Sequence, residues 1–419
     1  MINIPHLSLY YTPSKSNAIN IEQTLYSQLH VLLENKEIKG KKIALAVGSR
    51  FIKDQNDILK CLIGFLLKKE AIVSIIPAMG SHGGATAEGQ KEVLGITGIT
   101  EETMGVPIVS SPIPEAILVK HPISALIDPL TLYIDKNALE SDYVILINRI
   151  KPHTSFEGPI QSGLCKMACI GLGKPQGARY YHRLFSTYSF ETVLPILTTE
   201  VLNRVPILAG LALVEDENSN VTSLSVLPPD VWLDEEQILL KLAVSNMPHI
   251  PVDKADILVV EEFGKHVSGS GLDTNIIGLK TDFFSFTVNH RYIRSLAEGS
   301  GGNAVGMGLC DVMHKRVLKD IDFGVSYINA ETSLSPDSVK IPITYATDSE
   351  AIESLYRMGG YDTFEPSIVW ILNTSNLQYI LTNKLISNSL YSLIRENISL
   401  EYDESGNFPS FQEIISSAI

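Results

Sequence analysis

The chain has 419 residues, 45% of them hydrophobic and 19% charged, with a formal net charge of −14 at pH 7. Its length allows two or three domains, and its composition is that of a globular protein, which excludes a disordered chain. The acidic balance disfavours nucleic acid or an anionic membrane as the main partner, but a locally basic pocket for a small anion remains compatible with it.

The predicted elements alternate between strand and helix. KKIALAVGSR (41–50) reads as a buried strand ending in a loop. NDILKCLIGFLLKKE (56–70) reads as a helix with Asn56 or Asp57 near its start. AIVSIIPAMG (71–80) is a second buried strand, and TAEGQKEVLG (86–95) starts a short helix that Thr86 can cap. SDYVILINRI (141–150) is another buried strand. ETVLPILTTEVLNRV (191–205) has helical spacing of its apolar residues, with a kink expected at Pro195.

Near residue 250 two prolines precede a fresh strand, which marks a domain boundary. Beyond it ADILVVEEFG (255–264) and IPITYA (341–346) read as strands. DVMHKRVLKDI (311–321) and DSEAIESLYRMG (348–359) read as helices, and SIVWILN (367–373) as a late strand. The expected class is therefore α/β, with two domains, residues 1–250 and 251–419. Each has a parallel or mixed sheet flanked by helices, and the active site is expected in the cleft between them.

Four cysteines, Cys61, Cys165, Cys169 and Cys310, form no CxxC pair and suggest neither a disulfide framework nor a zinc ribbon. A reducing, cytoplasmic setting is expected. The opening MINIPHLSLYYTPSKS lacks the basic and apolar parts of a signal peptide, and apolar runs such as CLIGFLL are too short to span a bilayer.

Three strand ends in the first half carry polar residues and turns: VGSR with Arg50, MGSHGGATAEG with His82, and NRIKPHTSFEG with His153. In open parallel sheets ligands bind beyond the carboxyl ends of the strands, so these loops can converge. Gly80, Gly83 and Gly84 allow a sharp turn and close approach of backbone amides to an anion, with Ser81 and His82 at the rim. The same residues also suit a plain strand-to-helix turn, and they match neither the dinucleotide fingerprint nor the P-loop. His153 follows Pro152, which fixes the backbone as a catalytic base requires and as a surface turn equally permits.

Lys166 lies among Cys165, Met167, Ala168, Cys169 and Ile170. Burial there would favour a neutral, nucleophilic amine; a lysine reaching out to solvent is the alternative. His182 reads either as a packing histidine beside two tyrosines or as a metal ligand, and one imidazole alone holds a metal weakly.

Taken together, GSHGG, then KPHTSFEGPIQSGLCK, then His182 resemble the nickel-dependent lactate racemase family. The resemblance runs along most of the chain and is sharp between about residues 45 and 185. It implies a nickel-pincer nucleotide (pyridinium-3-thioamide-5-thiocarboxylic acid mononucleotide nickel) attached to Lys166, with His182 as the single protein ligand of nickel. One histidine then suffices, because the cofactor supplies the other three donors. Gly80, Ser81, Gly83 and Gly84 would let the cofactor approach the backbone. The resemblance further implies His82 and His153 as acid and base, and Arg50 as the holder of the substrate carboxylate. By the same resemblance, accessory proteins build the cofactor, and nucleic acid and membrane are not partners.

The implied reaction is racemisation or epimerisation of a small anionic 2-hydroxy acid. The Cα hydrogen beside a carboxylate is too weakly acidic for simple deprotonation. By resemblance, hydride passes from Cα to the cofactor and returns to the other face of a planar 2-keto acid. One histidine takes the hydroxyl proton, and the opposite one supplies it back.

This chain departs from the family in two places. The stretch between His153 and Lys166 is longer by a few residues around Glu157 to Ile160. The start of the second domain, EEFGKHVSGSGLDTNIIGLK (261–280), contains Lys265 and Lys280 but not the family's glutamine. Lys265 or Lys280 could serve near the substrate, with Lys265 the one singled out, and the departures favour a larger 2-hydroxy acid than lactate. Two other classes stay open: a non-catalytic nucleotide- or cofactor-binding protein of the same fold, and a metal-independent enzyme that binds an anion at GSHGG.

Overall fold

The structure is a computed structural model that describes residues 2–13, 19–49, 51–120 and 124–419. The chain divides into two compact units. One is Ser16–Met247. The other joins the N-terminal segment that carries the strand Leu7–Tyr11 to Pro248–Ile419. The expected first domain, residues 1–250, thus yields its opening strand to the later unit.

The Ser16–Met247 unit is built on a five-stranded sheet. In spatial order its strands are Ile72–Pro77, Lys42–Val47, Tyr143–Arg149, Ile207–Glu215 and Val221–Leu227. The first four run parallel, and the last pairs antiparallel with Ile207–Glu215. Ile43 to Val47 and Val144 to Ile147 are all buried, the continuous apolar run expected of strands covered on both faces. The helix Gln55–Lys68 places Leu59, Leu62 and Leu66 on one stripe, in the same buried core as Leu45, Ile145 and Leu211 of the sheet. Thr86 caps the helix Ala87–Ile96 by accepting from the Gly89 amide at 3.0 Å. The helix Phe190–Leu202 runs through Pro195. A separate hairpin, Pro114–Val119 with Leu130–Asp135, completes this unit.

The other unit holds an eight-stranded mixed sheet. Its order is Ile343–Tyr345, Val312–His314, Thr287–Leu296, Lys254–Phe263, Ile368–Asn373, Asn376–Thr382, Leu7–Tyr11 and Ser392–Ile398. The first five strands are parallel and the remaining neighbours antiparallel. The helix Asp348–Gly359 starts at a reciprocal Thr347–Glu350 capping box and stops at the left-handed Gly360.

One expected element is wrong. Residues 311–321 do not form an α-helix. They form the strand Val312–His314 and a 3-10 turn, Lys315–Lys319. Val312 and Met313 are buried between two parallel neighbours, paired with Tyr292 and Ile293 on one side and with Ile343 and Thr344 on the other. Central placement in the sheet overrides the local helical pattern.

Among the described residues, no helix is long and apolar enough to cross a membrane.

Candidate active site

The parallel strands Ile72–Pro77, Lys42–Val47 and Tyr143–Arg149 are neighbours, so their carboxyl ends lie side by side. Strands are spaced about 4.8 Å apart, so the loops carrying His82 and His153 start roughly 10 Å from each other, on either side of the 42–47 strand. That central strand leads into Gly48 and Ser49. Ser49 Oγ lies 2.9 Å from His82 Nδ1. Arg50, the expected carboxylate holder, lies outside the described residues.

The GSHGG loop is folded onto the chain that follows Lys166. The Gly80 amide donates to Gly171 O at 3.3 Å, and Gly80 adopts φ 60°. A Cβ on Gly83 would fall 2.5 Å from the Gly89 carbonyl, so this glycine is required by packing against the next helix. Gly84, at φ 61°, faces open space, and Ser81 is half-buried. His82 itself is exposed.

His153 sits in a loop whose neck is closed by hydrogen bonds. Asn148 Nδ2 donates to Gly163 O at 2.8 Å, and the Lys151 amide donates to Ser162 O at 3.3 Å. The His153 amide donates to Oε1 of the buried Gln161 at 2.9 Å. His153 Nδ1 then accepts from the amides of Ser155 (3.0 Å) and Phe156 (3.1 Å). A nitrogen that accepts two N–H bonds is unprotonated, so the neutral ring carries its proton on Nε2. The expected extra stretch, Glu157 to Ile160, is the tip of this loop.

Phe156 is the hub of the site, and the sequence reading passed over it. Its ring stacks on His153 (centroids 4.4 Å apart, 23° from parallel) and on Phe190 (4.1 Å, 4°). The same ring lies 5.8 Å from His182 and 4.9 Å from Lys166 Nζ. Lys166 and His182 are therefore brought to one aromatic surface together with His153. A phenylalanine three residues after a loop histidine gives no periodic signal, which is why it was missed.

Lys166 ends a short helical turn, Leu164–Lys166, and a π-helical turn, Met167–Gly171, follows at once. Such turns recur at functional sites because they re-aim a side chain within a helix. The buried carboxyl of Glu236 accepts the Cys165 amide at 3.0 Å and so caps the lysine-bearing turn. Burial pushes the Glu236 pKa up to about 7. Burial also raises the thiols of Cys165 and Cys169, the latter to about 12, so both stay protonated at neutral pH.

His182 lies on the helix Lys174–Tyr188, next to Tyr181. The Tyr181 hydroxyl accepts from the Tyr133 amide at 2.8 Å and donates to its carbonyl at 3.3 Å, which ties this helix to the 130–135 strand. His182 is half-buried. Burial, and then the Lys166 charge, lower its pKa to about 4. Its imidazole is thus neutral at physiological pH, the form that binds metals. Among the described residues, no group of three or more His, Cys, Asp or Glu side chains is arranged to hold a metal ion.

Lys265 belongs to the other unit, where Nζ donates to Gly269 O (2.6 Å) and to Asn329 Oδ1 (3.0 Å). Lys280 lies 3.7 Å from Asp282.

Most of the chain resembles a solved structure, the lactate racemase apoprotein from Thermoanaerobacterium thermosaccharolyticum. The likeness has a TM-score of 0.51 at 15% identity and covers 89% of this chain and 99% of that one. The chain therefore has a lactate-racemase-like fold of the mixed α/β class. No protein-family model and no curated protein matches the sequence.

Proposed function

We propose that the protein is an isomerase, a racemase or epimerase of a 2-hydroxy acid that works with a lysine-tethered nickel-pincer nucleotide. One observation carries the reading. Lys166 and His182 meet at the Phe156 ring, with His182 held neutral, in a chain with a lactate-racemase-like fold. A tethering amine and one neutral imidazole are the two protein groups that such a cofactor requires. The residues present fit it: Lys166 as the attachment point, His182 as the ligand, and the Gly80–Gly84 loop as the backbone alongside.

When bound, that group would supply the hydride-accepting chemistry. The chain's own residues handle charge and protons. His82 and His153 move the hydroxyl proton, each on its own side of the 42–47 strand. Arg50 is the cation assigned to the substrate carboxylate. The loop tip 157–160 and the missing glutamine in 261–280 favour a substrate larger than lactate.

The test is to produce the protein together with the enzymes that build the cofactor. Nickel content, the mass of the Lys166 peptide and loss of optical rotation across a panel of 2-hydroxy acids are then measured. Unmodified Lys166 without nickel rejects the cofactor. Loaded protein that racemises none of the panel leaves the non-catalytic, cofactor-binding alternative.

A further inference from the structure

Lys174 is the most unusual charged residue in the Ser16–Met247 unit. Its side chain is 0% exposed, and its backbone takes a left-handed φ of 55° at the first position of the helix that carries His182. Left-handed backbone is costly for a residue with a Cβ, and a desolvated ammonium is costlier still. An apolar side chain would fill this space with neither penalty, so the arrangement has to specify something that packing alone does not.

What it specifies is visible in its partners. Nζ donates to the carbonyl of Pro77, the last residue of its strand, at 2.6 Å, and to Gln90 Oε1 at 3.2 Å. It also lies 2.8 Å from Asp135 Oδ2 as an ion pair between two fully buried groups. Gln90 Nε2 passes the connection on, donating to Gly80 O at 3.1 Å. Asp135 is itself fixed, since its Oδ1 accepts the Asn137 amide at 2.8 Å and its own amide donates to Leu172 O at 2.7 Å. The bonds of this one ammonium thus bracket the backbone that enters and leaves Gly80, two residues before His82.

We infer that Lys174 is a positioning residue that locks the His82 loop in register with the helix bearing His182. A loop of glycines has no side chains with which to hold its own conformation, and the buried ammonium replaces them with directional bonds. The inference deepens the racemase reading, because His82 is one of its two proton carriers. Its test needs neither cofactor nor substrate. Failed nickel loading leaves it standing, and its own failure leaves the racemase reading standing.

The experiment compares amide hydrogen exchange and histidine ring NMR in the cofactor-free protein and two variants. Lys174→Met with Asp135→Asn removes both buried charges together and keeps the acceptor for Asn137. The milder Gln90→Met keeps the ion pair and removes the bonds that run through Gln90, from Lys174 and Ser110 to its Oε1 and from its Nε2 to Gly80 O. In both, the Gly80 and His82 amides should exchange on the order of tenfold faster or more. The His82 ring signals should move, while Leu45 in the neighbouring strand and the His153 ring stay as in the parent. Unchanged Gly80 exchange and His82 signals in a folded Gln90→Met protein overturn the inference. So does a uniform rise that includes Leu45, because Lys174 and Gln90 would then be general core supports.

Discussion

Lys166 and Phe156 meet as cation and ring, with the ammonium 4.9 Å from the ring centre. The charge held there also reaches His182, where it adds to burial in lowering the pKa to about 4. Neutralising Lys166, by Lys166→Met or by covalent acylation, should raise the His182 midpoint part of the way towards 6.5, because burial persists. A histidine NMR titration of the cofactor-free protein reads this directly. A midpoint that stays near 4 would show that the two groups do not sense each other.

Removing the shared ring should loosen the site. Phe156→Ala loses the stacking on His153 and Phe190 and is expected to cost about 2 kcal/mol. That is less than the roughly 3–5 kcal/mol of a fully buried phenylalanine, because Phe156 is half-buried. Phe156→Leu should recover much of the loss. Urea unfolding of the two variants decides it, and equal midpoints for Ala and parent would remove Phe156 from its central place.

The His153 ring should be found as the Nε2–H tautomer at neutral pH, because Nδ1 is held by the Ser155 and Phe156 amides. Nitrogen-15 shifts of the ring measure this. In that state His153 offers a proton and does not take one, so accepting a proton at this position requires opening the turn. A neutral ring protonated on Nδ1 would contradict the turn.

Glu236 and His182 should pull stability in opposite directions with pH. The Glu236 carboxyl titrates at about 7 in the fold against 4.5 unfolded, so the folded chain holds the extra proton and stability falls as pH rises through that window. His182 titrates at about 4 against 6.5, so the unfolded chain holds the extra proton and stability rises with pH. Between pH 4.5 and 6.5 the two largely cancel. Glu236→Gln keeps an acceptor for the Cys165 amide but cannot ionise. It should gain up to about 3 kcal/mol relative to the parent as pH rises from 4.5 to 7. Denaturant curves at pH 4.5, 6 and 7.5 check the sign, and a parallel pH dependence in both proteins would refute it.

Much of the sheet was legible from the chain itself. Buried parallel strands such as Ile43–Val47 and Val144–Ile147 are unbroken apolar runs, and Thr86 stands where a cap must stand. The segment 311–321 was misread because two paired residues, Val312 and Met313, sit in a stretch whose charges fall at helical spacing. Their strand identity comes from neighbours distant in sequence. The residues proposed for chemistry were visible as residue types, but what organises them was not. Phe156 works through its two faces, Gln161 through one amide of His153, and Lys174 through the Pro77 carbonyl of another strand. These are tertiary relations, and no local pattern records them.

The strand Leu7–Tyr11 lies between Asn376–Thr382 and Ser392–Ile398. During synthesis it leaves the ribosome long before either partner exists. All of the Ser16–Met247 unit is synthesised while this ribbon waits for the two C-terminal strands. A nascent chain stalled anywhere before Asn376 would therefore present an unpaired apolar strand, a natural handle for a chaperone and a hazard without one.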